Sequence, residues 1–124
     1  MPGTWSIREI VLHLMDSDLI ASERMKRIIA LENPTILAYD EAAFAQRLGY
    51  NDSDAAVAAE IFATNRRLTA DLLRRQPDAA YARAGTHSER GRVTLAELVP
   101  MYIEHLEHHL KFVRQKRELL GKPL

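Results

Sequence analysis

Apolar residues recur at the spacing of a helix face along most of the chain. The first stripe follows Ser6-x-x-Glu9, a pattern typical of an N-terminal capping box. It predicts a helix from Ser6 to about Leu31, where Asn33-Pro34 stops it. The apolar face of this helix consists of Ile7, Ile10, Val11, Leu14, Ala21, Met25, Ile28 and Ile29.

Two further helices follow the first. Asp40 is predicted to cap a short helix that runs through Leu48 and is closed by Gly49. Ser53 is predicted to cap a longer helix that ends before Pro77. The residues of this helix predicted to face inward are Val57, Ile61, Leu68 and Leu72.

A second capping box, Thr94-x-x-Glu97, begins a long last helix that Gly121 and Pro123 end. Residues 76–93 contain proline and glycine and are predicted to be irregular. No segment shows the alternating pattern typical of strands. The pattern therefore predicts an all-α fold with three long helices and one short helix.

Three histidines lie on the last predicted helix. At about 100° per residue, His105 and His109 lie inside its apolar arc about 40° apart, and His108 lies outside it. Two imidazoles at this spacing are typical of a metal-binding pair. Burying them without partners is costly, so they require either hydrogen bonds from neighbours or a shared cation. Both interpretations remain open at this point.

A third nitrogen ligand is available on the first helix. His13 lies at the edge of that helix's apolar stripe, and it would complete a set of three imidazoles that leaves a metal position open. The alternative is a boundary histidine hydrogen-bonded to its neighbours. His87, in the loop rich in glycine and arginine, is the competing candidate, because periodicity does not fix its position.

Composition narrows the function classes. The chain of 124 residues is expected to form one domain over residues 1–124, and its 17 basic and 17 acidic residues favour neither nucleic acid nor an anionic membrane as partner. Because cysteine is absent, any metal site must use His, Asp, Glu or water. No membrane span or signal peptide is recognisable, so we expect a cytoplasmic protein.

Three linked segments carry a family pattern. Residues 5–17 read WSIREIVLHLMDS and precede Arg24, and residues 30–41 include ALENPTI and YDE. Residues 83–95 read RAGTHSERGRVTL and lead to His105-x-x-His108-His109. These segments, which span roughly residues 4–115, resemble the DinB/YfiT-like superfamily in the same order.

The resemblance implies an up-and-down four-helix bundle in which His13, His105 and His109 bind a divalent metal such as Ni²⁺ or Zn²⁺. It implies a metal-dependent hydrolase or a thiol S-transferase that uses bacillithiol, mycothiol or glutathione. Both act on a small-molecule substrate, the metal activating either a water molecule or a cosubstrate thiol. The alternatives are a non-catalytic metal-binding or dimerising bundle, or an interaction module with ordinary core histidines.

Side chains around the proposed site have expected roles. Metal-bound imidazoles usually donate their second N–H to a carboxylate, and Asp16, Glu41 and Glu104 are the candidates. Arg24 and Arg66 are candidates for holding an anionic substrate group, with surface ion pairs as the alternative. Asn65 is a candidate to hydrogen-bond the substrate near the metal, and Tyr102 is a candidate to line the pocket, with core packing as its alternative.

The resemblance also implies a missing element. The family has another helix before the Trp-Ser segment, whereas this chain begins at Met1, so the bundle is expected to lack the first helix. Such a bundle exposes part of its core unless a partner covers it. We therefore expect a homodimer with an apolar interface, the alternative being a truncated or misassigned reading frame.

Overall fold

The computed structural model describes residues 4–122, so the predicted helix end at Pro123 lies outside the described residues. The four helices are α1 (Ile7–Ala30), α2 (Glu41–Arg47), α3 (Ala55–Arg74) and α4 (Leu95–Leu119). The three short strands are β1 (Thr35–Ile36), β2 (Ala84–His87) and β3 (Gly91–Thr94). The predicted all-α fold class is confirmed as a mostly helical fold with three long helices and one short helix, and the structure adds the small sheet that the sequence did not predict.

Helix starts follow the capping residues read from the sequence. Both capping boxes form: the Ser6 hydroxyl accepts the Glu9 N–H, the Glu9 carboxylate accepts the Ser6 N–H, and Thr94 and Glu97 do the same for α4. Asp40 caps α2 by accepting the N–H of its third residue. These side chains satisfy backbone donors that a helix N-terminus leaves unpaired.

The start and the inner face of α3 differ from prediction. Asp54, rather than Ser53, caps the helix by accepting the Val57 N–H at 3.1 Å. The side chains of Val57, Ile61 and Leu68 are 47%, 40% and 58% exposed, so their predicted inward orientation is wrong. The buried or half-buried residues on the inner side include Ala58, Phe62, Asn65, Arg66 and Leu73.

Polar residues of α1 explain why α3 turns a different face inward than the apolar pattern predicts. α1 presents the buried polar residues Asp18 and Ser22 toward α3. Asn65 donates to both of them, and Arg66 pairs with Asp18. Since buried polar groups must be hydrogen-bonded, α3 turns a partly polar face inward and leaves an apolar stripe outside.

A small sheet occupies the region predicted to be irregular. β1 pairs in parallel with β2, and β2 pairs antiparallel with β3. The prediction that residues 76–93 are irregular is therefore wrong for β2 and for most of β3, and a 3-10 helix occupies Asp78–Ala82. Strands of two to four residues are too short for an alternating pattern to show. Gly85 allows β2 to pass close to the segment before β1, because a Cβ at this position would lie 2.9 Å from the Pro34 carbonyl oxygen.

α1 is the central helix and packs against both α3 and α4. The main core cluster joins α1 to the small sheet and to the start of α4; its buried members are Ala21, Met25, Ile28, Ile36, Val93, Leu95 and Leu98. Within residues 4–122, no helix combines the length and the apolar character needed to cross a bilayer. The buried polar residues of α1 are His13, Ser17, Asp18 and Ser22.

Candidate metal centre

Three histidines from the two ends of the chain converge at the contact between α1 and α4. One ring nitrogen from each of His13, His105 and His109 lies within 4.8 Å of the other two. The Nε2 atoms of His13 and His105 are 3.1 Å apart. His13 is fully buried, and the other two are half-buried. The spacing of four residues on α4 places both of its imidazoles toward His13.

Aromatic and hydroxyl groups hold the three histidines. The Trp5 ring meets the His13 ring edge-on at 4.9 Å and is stacked with the His109 ring at 6.4 Å. The Ser17 hydroxyl, one helical turn after His13, lies 3.4 Å from the His13 ring nitrogens. It also hydrogen-bonds the Tyr39 hydroxyl at 2.7 Å. The imidazole of His13 is therefore fixed on several sides.

The imidazoles are neutral at physiological pH. Burial, with further contributions from His109 and His105, lowers the pKa of His13 to about 3. Burial, with contributions from His105 and His108, lowers the pKa of His109 to about 4. The pKa of His105 is also lowered, chiefly by burial. Each neutral ring therefore keeps the lone pair that a metal ligand requires.

These residues fit a divalent cation. Two nitrogens that each lie about 2.0–2.1 Å from a shared divalent ion are roughly 2.9–3.4 Å apart, depending on whether the angle between them is octahedral or tetrahedral. The His13–His105 nitrogen distance of 3.1 Å matches this spacing. Imidazole is a common ligand of both Zn²⁺ and Ni²⁺, so the donor set is compatible with either ion.

A cavity of about 470 Å³ lies beside the three histidines. Its walls come from α1, the loop after β1, the β2–β3 hairpin and α4, and His105 is the triad member that lines it. A volume of this size is typical of sites for small molecules. The polar residues that line it further are Ser17, Arg24, Tyr39, Glu41, His87, Glu89, Arg90, Tyr102, Glu104 and His108.

The three acids predicted to assist the histidines occupy different places. The Glu41 Oε2 atom lies 4.0 Å from the His13 Nε2 atom, and burial raises the pKa of Glu41 while Arg24 opposes this shift. Asp16 instead accepts a hydrogen bond from the buried Tyr50 hydroxyl at 2.5 Å. Glu104 is exposed at the cavity wall. Glu41 is therefore the carboxylate that the structure brings to a histidine.

The two arginines predicted to hold an anionic substrate group also lie in different places. Arg24 lines the cavity, where its Nη1 donates to the Tyr102 hydroxyl at 2.9 Å. Arg66 instead donates from Nε to Asp18 at 2.5 Å and from Nη2 to the Tyr102 carbonyl at 3.1 Å. Arg66 thus links the three long helices, and it does not line this cavity.

His87 and His108 line the cavity but do not belong to the histidine cluster. The Nδ1 atom of His87 accepts the backbone N–H groups of Glu89 and Arg90, which orders the hairpin turn. His108 is exposed, as the helical projection predicts. Its ring lies 5.2 Å from the His109 ring.

Sequence reasoning did not assign a site role to several residues that surround the histidines. Ser17 follows His13 by four residues, a spacing that could have placed it on the same helix face. Tyr39 lies in a loop, where no periodicity indicates its direction. Asp18, a buried acid that pairs with Arg66 on α3 and not with the histidines, looks like a surface carboxylate in the sequence.

The fold and the histidine cluster define a helical bundle with a three-imidazole site. Residues 1–113 match the family model of the DinB superfamily, and the chain belongs to this superfamily. The family resemblance and the mostly helical fold expected from the sequence are thereby confirmed.

Two relatives and one solved structure show the similarity. The chain is 32% identical over 111 residues to "Putative metal-dependent hydrolase OB0782" of Oceanobacillus iheyensis, covering 90% of this chain and 64% of that protein. It is 26% identical over 120 residues to "Putative metal-dependent hydrolase YfiT" of Bacillus subtilis, covering 96% and 67%. The solved structure of YfiT superposes with a TM-score of 0.91 at 25% identity, covering 98% of this chain and 70% of that chain. The chain thus spans about two thirds of the length of these relatives.

Proposed function

We propose that this protein is a divalent-metal-dependent enzyme whose metal is held by His13, His105 and His109. The observation that carries the proposal is the convergence of three neutral imidazoles beside a cavity of about 470 Å³. Among the described residues, no fourth His, Asp or Glu joins the cluster, so a coordination position is left for a small molecule. The names of the relatives support a metal-dependent activity.

Hydrolysis of a small-molecule substrate is the leading reaction. A divalent cation bound here supplies Lewis acidity, which polarises a substrate oxygen and favours the deprotonated form of a water molecule or a thiol. Glu41 lies 4.0 Å from His13 at the cavity wall, and its raised pKa suits a group that accepts a proton from a nucleophile. The Ser17 hydroxyl contacts the imidazole of His13 and is itself hydrogen-bonded to Tyr39.

Thiol S-transfer with bacillithiol, mycothiol or glutathione is the second candidate. The chain contains no cysteine, so a nucleophilic sulfur would have to arrive with a cosubstrate. A cavity of about 470 Å³ next to the histidines has room for part of such a thiol. Nickel and zinc are both proposed as the ion, since three imidazoles suit either.

Metal analysis of protein purified without a histidine tag tests the proposal. We expect about one divalent ion per chain, and less than about 0.2 would contradict the metal site. His13→Ala should abolish retention, whereas His108→Ala, which alters an exposed histidine of the same helix, should retain the ion. Esterase and amidase assays beside a thiol-plus-electrophile panel then separate the two reactions, and inactivity of the metal-loaded protein in all of them would favour a non-catalytic bundle.

We also propose that the protein forms a homodimer through the outer face of α3. The support is the exposed apolar stripe of Val57, Ile61 and Leu68 on this helix. A formal net charge of zero does not oppose the association of two copies. Exposed apolar surface of this kind is typical of an interface.

A further inference from the structure

Arg24 lies in the cavity beside the histidines and forms no ion pair with a described carboxylate. The half-buried arginines Arg66 and Arg83 each form an ion pair, with Asp18 and Glu32 respectively. Among residues 4–122, no carboxylate lies within ion-pair distance of the Arg24 guanidinium. A permanent positive charge is thus held at a cavity wall near Glu41 but without a direct ion pair, which leaves guanidinium donors for an anionic ligand.

The guanidinium of Arg24 is fixed in place and still has free donors. It donates to the Leu37 carbonyl at 2.5 Å and to the Tyr102 hydroxyl at 2.9 Å, and its central carbon lies 6.0 Å from the centre of the Tyr39 ring. Because a guanidinium carries five N–H donors, these two contacts leave three for a ligand. An arginine that is already ordered loses little conformational entropy when it binds.

Tyr102 extends this donor group toward the histidines. Its hydroxyl accepts from Arg24, and no described residue accepts the hydroxyl's own proton. The Tyr102 ring lies 6.3 Å from the His105 ring, and both line the same cavity. The Arg24–Tyr102 pair and the histidine cluster are therefore close enough for one small molecule to contact both.

We propose that Arg24 and Tyr102 bind the carboxylate of a small substrate whose reactive group faces His13, His105 and His109. The planar fork of a guanidinium matches a carboxylate. Glu41, Glu89 and Glu104 line the same cavity beside Arg24 and Arg90, so a doubly charged phosphate is repelled more strongly than a singly charged carboxylate. This assignment of substrate class rests on the proposed metal-dependent function.

Two related metal-binding probes test the assignment. Butanohydroxamate and the monohydroxamate of succinic acid share the metal-binding hydroxamate group. At the other end, the first compound carries a methyl group and the second carries a carboxylate. With the zinc-loaded protein, calorimetry should show about tenfold tighter binding of the carboxylate compound, as expected for a hydrogen-bonded charge pair. Arg24→Gln should bring the two affinities to within about twofold, and Tyr102→Phe should reduce the preference to about threefold.

Controls separate the anion site from the fold and from the metal site. Arg92→Gln alters an exposed arginine outside the cavity and should keep the tenfold preference expected for the unmodified protein. Tyr102→Phe keeps the ring, so it reports on the hydroxyl even where Arg24→Gln loosens the loop. Equal affinities in the unmodified protein, or a preference that persists in Arg24→Gln, would overturn the proposal.

A metal-free arm keeps the test independent of the proposed function. Failure of the uncharged hydroxamate to bind identifies failure of the metal proposal alone. In that case succinate is titrated into metal-free protein while the arginine Nε–H signals are followed by NMR. A saturable shift of the signal that disappears in Arg24→Gln supports the carboxylate site, and the absence of such a shift contradicts it.

Discussion

Acid should destabilise the metal-free protein through its buried histidines. Burial lowers the pKa of His13 to about 3 and that of His109 to about 4, whereas both have the ordinary pKa of 6.5 in the unfolded chain. At pH values between the folded-state pKa values and 6.5, these two histidines are protonated in the unfolded chain but not in the folded protein. Stability is therefore retained above pH 6.5 and falls as the pH decreases toward the folded-state pKa values.

The size of the effect follows from the two pKa shifts. Lowering the pH from about 7 to about 5 protonates each imidazole in the unfolded state while the folded state stays neutral. The free energy of unfolding then falls by about 2 kcal/mol for each histidine, or by about 4 kcal/mol for both. A loss of this size is a large fraction of the stability of a typical domain.

Urea unfolding of chelator-treated protein at the two pH values measures this loss. Fluorescence of Trp5, which packs on His13, reports on the site, and circular dichroism reports on the helices. In His13→Gln, which removes one titrating imidazole, the pH-dependent loss should shrink by about 2 kcal/mol. Equal or greater stability at the lower pH would refute the reasoning, and an undiminished loss in the variant would refute the assignment to His13.

Three further predictions concern packing and assembly. Gly85→Ala should destabilise the fold by about 1–3 kcal/mol in urea unfolding, because its Cβ would lie 2.9 Å from the Pro34 carbonyl oxygen; an unchanged midpoint would contradict this. Arg66→Met should lower the free energy of unfolding, measured in urea, by about 3–5 kcal/mol, because it leaves the buried Asp18 carboxylate without its ionic partner. Adding Asp18→Asn should restore part of this loss. In light scattering at micromolar concentration, Ile61→Glu should convert the proposed dimer to a monomer, whereas Glu60→Gln should not; a monomeric unmodified protein would contradict the dimer.

Local signals in the sequence predict much of the fold. The side chains of Ser6, Asp40 and Thr94 act within one helical turn, so their patterns give the helix starts without reference to the rest of the chain. The spacing of His105 and His109 likewise indicates that they share a face, and the structure places them together. Their role as metal ligands stays a prediction that metal analysis will test.

Contacts between distant segments explain what the sequence did not predict. The inner face of α3 depends on Asp18, which lies 47 residues before its partner Asn65, so the apolar pattern alone selects the wrong stripe. The hairpin depends on the close approach of Gly85 to the chain before β1. The sequence offers Arg24 and Arg66 equally as anion-binding candidates, and the contacts with Leu37 and Tyr102 are what place Arg24 in the cavity.

The cavity has two kinds of wall, and they differ in how freely they can change during evolution. The histidines belong to two long helices whose residues also form the core, so substitutions there disturb the fold. Glu89 and Arg90 instead lie exposed at the tip of the β2–β3 hairpin. Mutations at this tip can alter which molecules enter while the three imidazoles stay in place, so new specificities can arise through single surface substitutions.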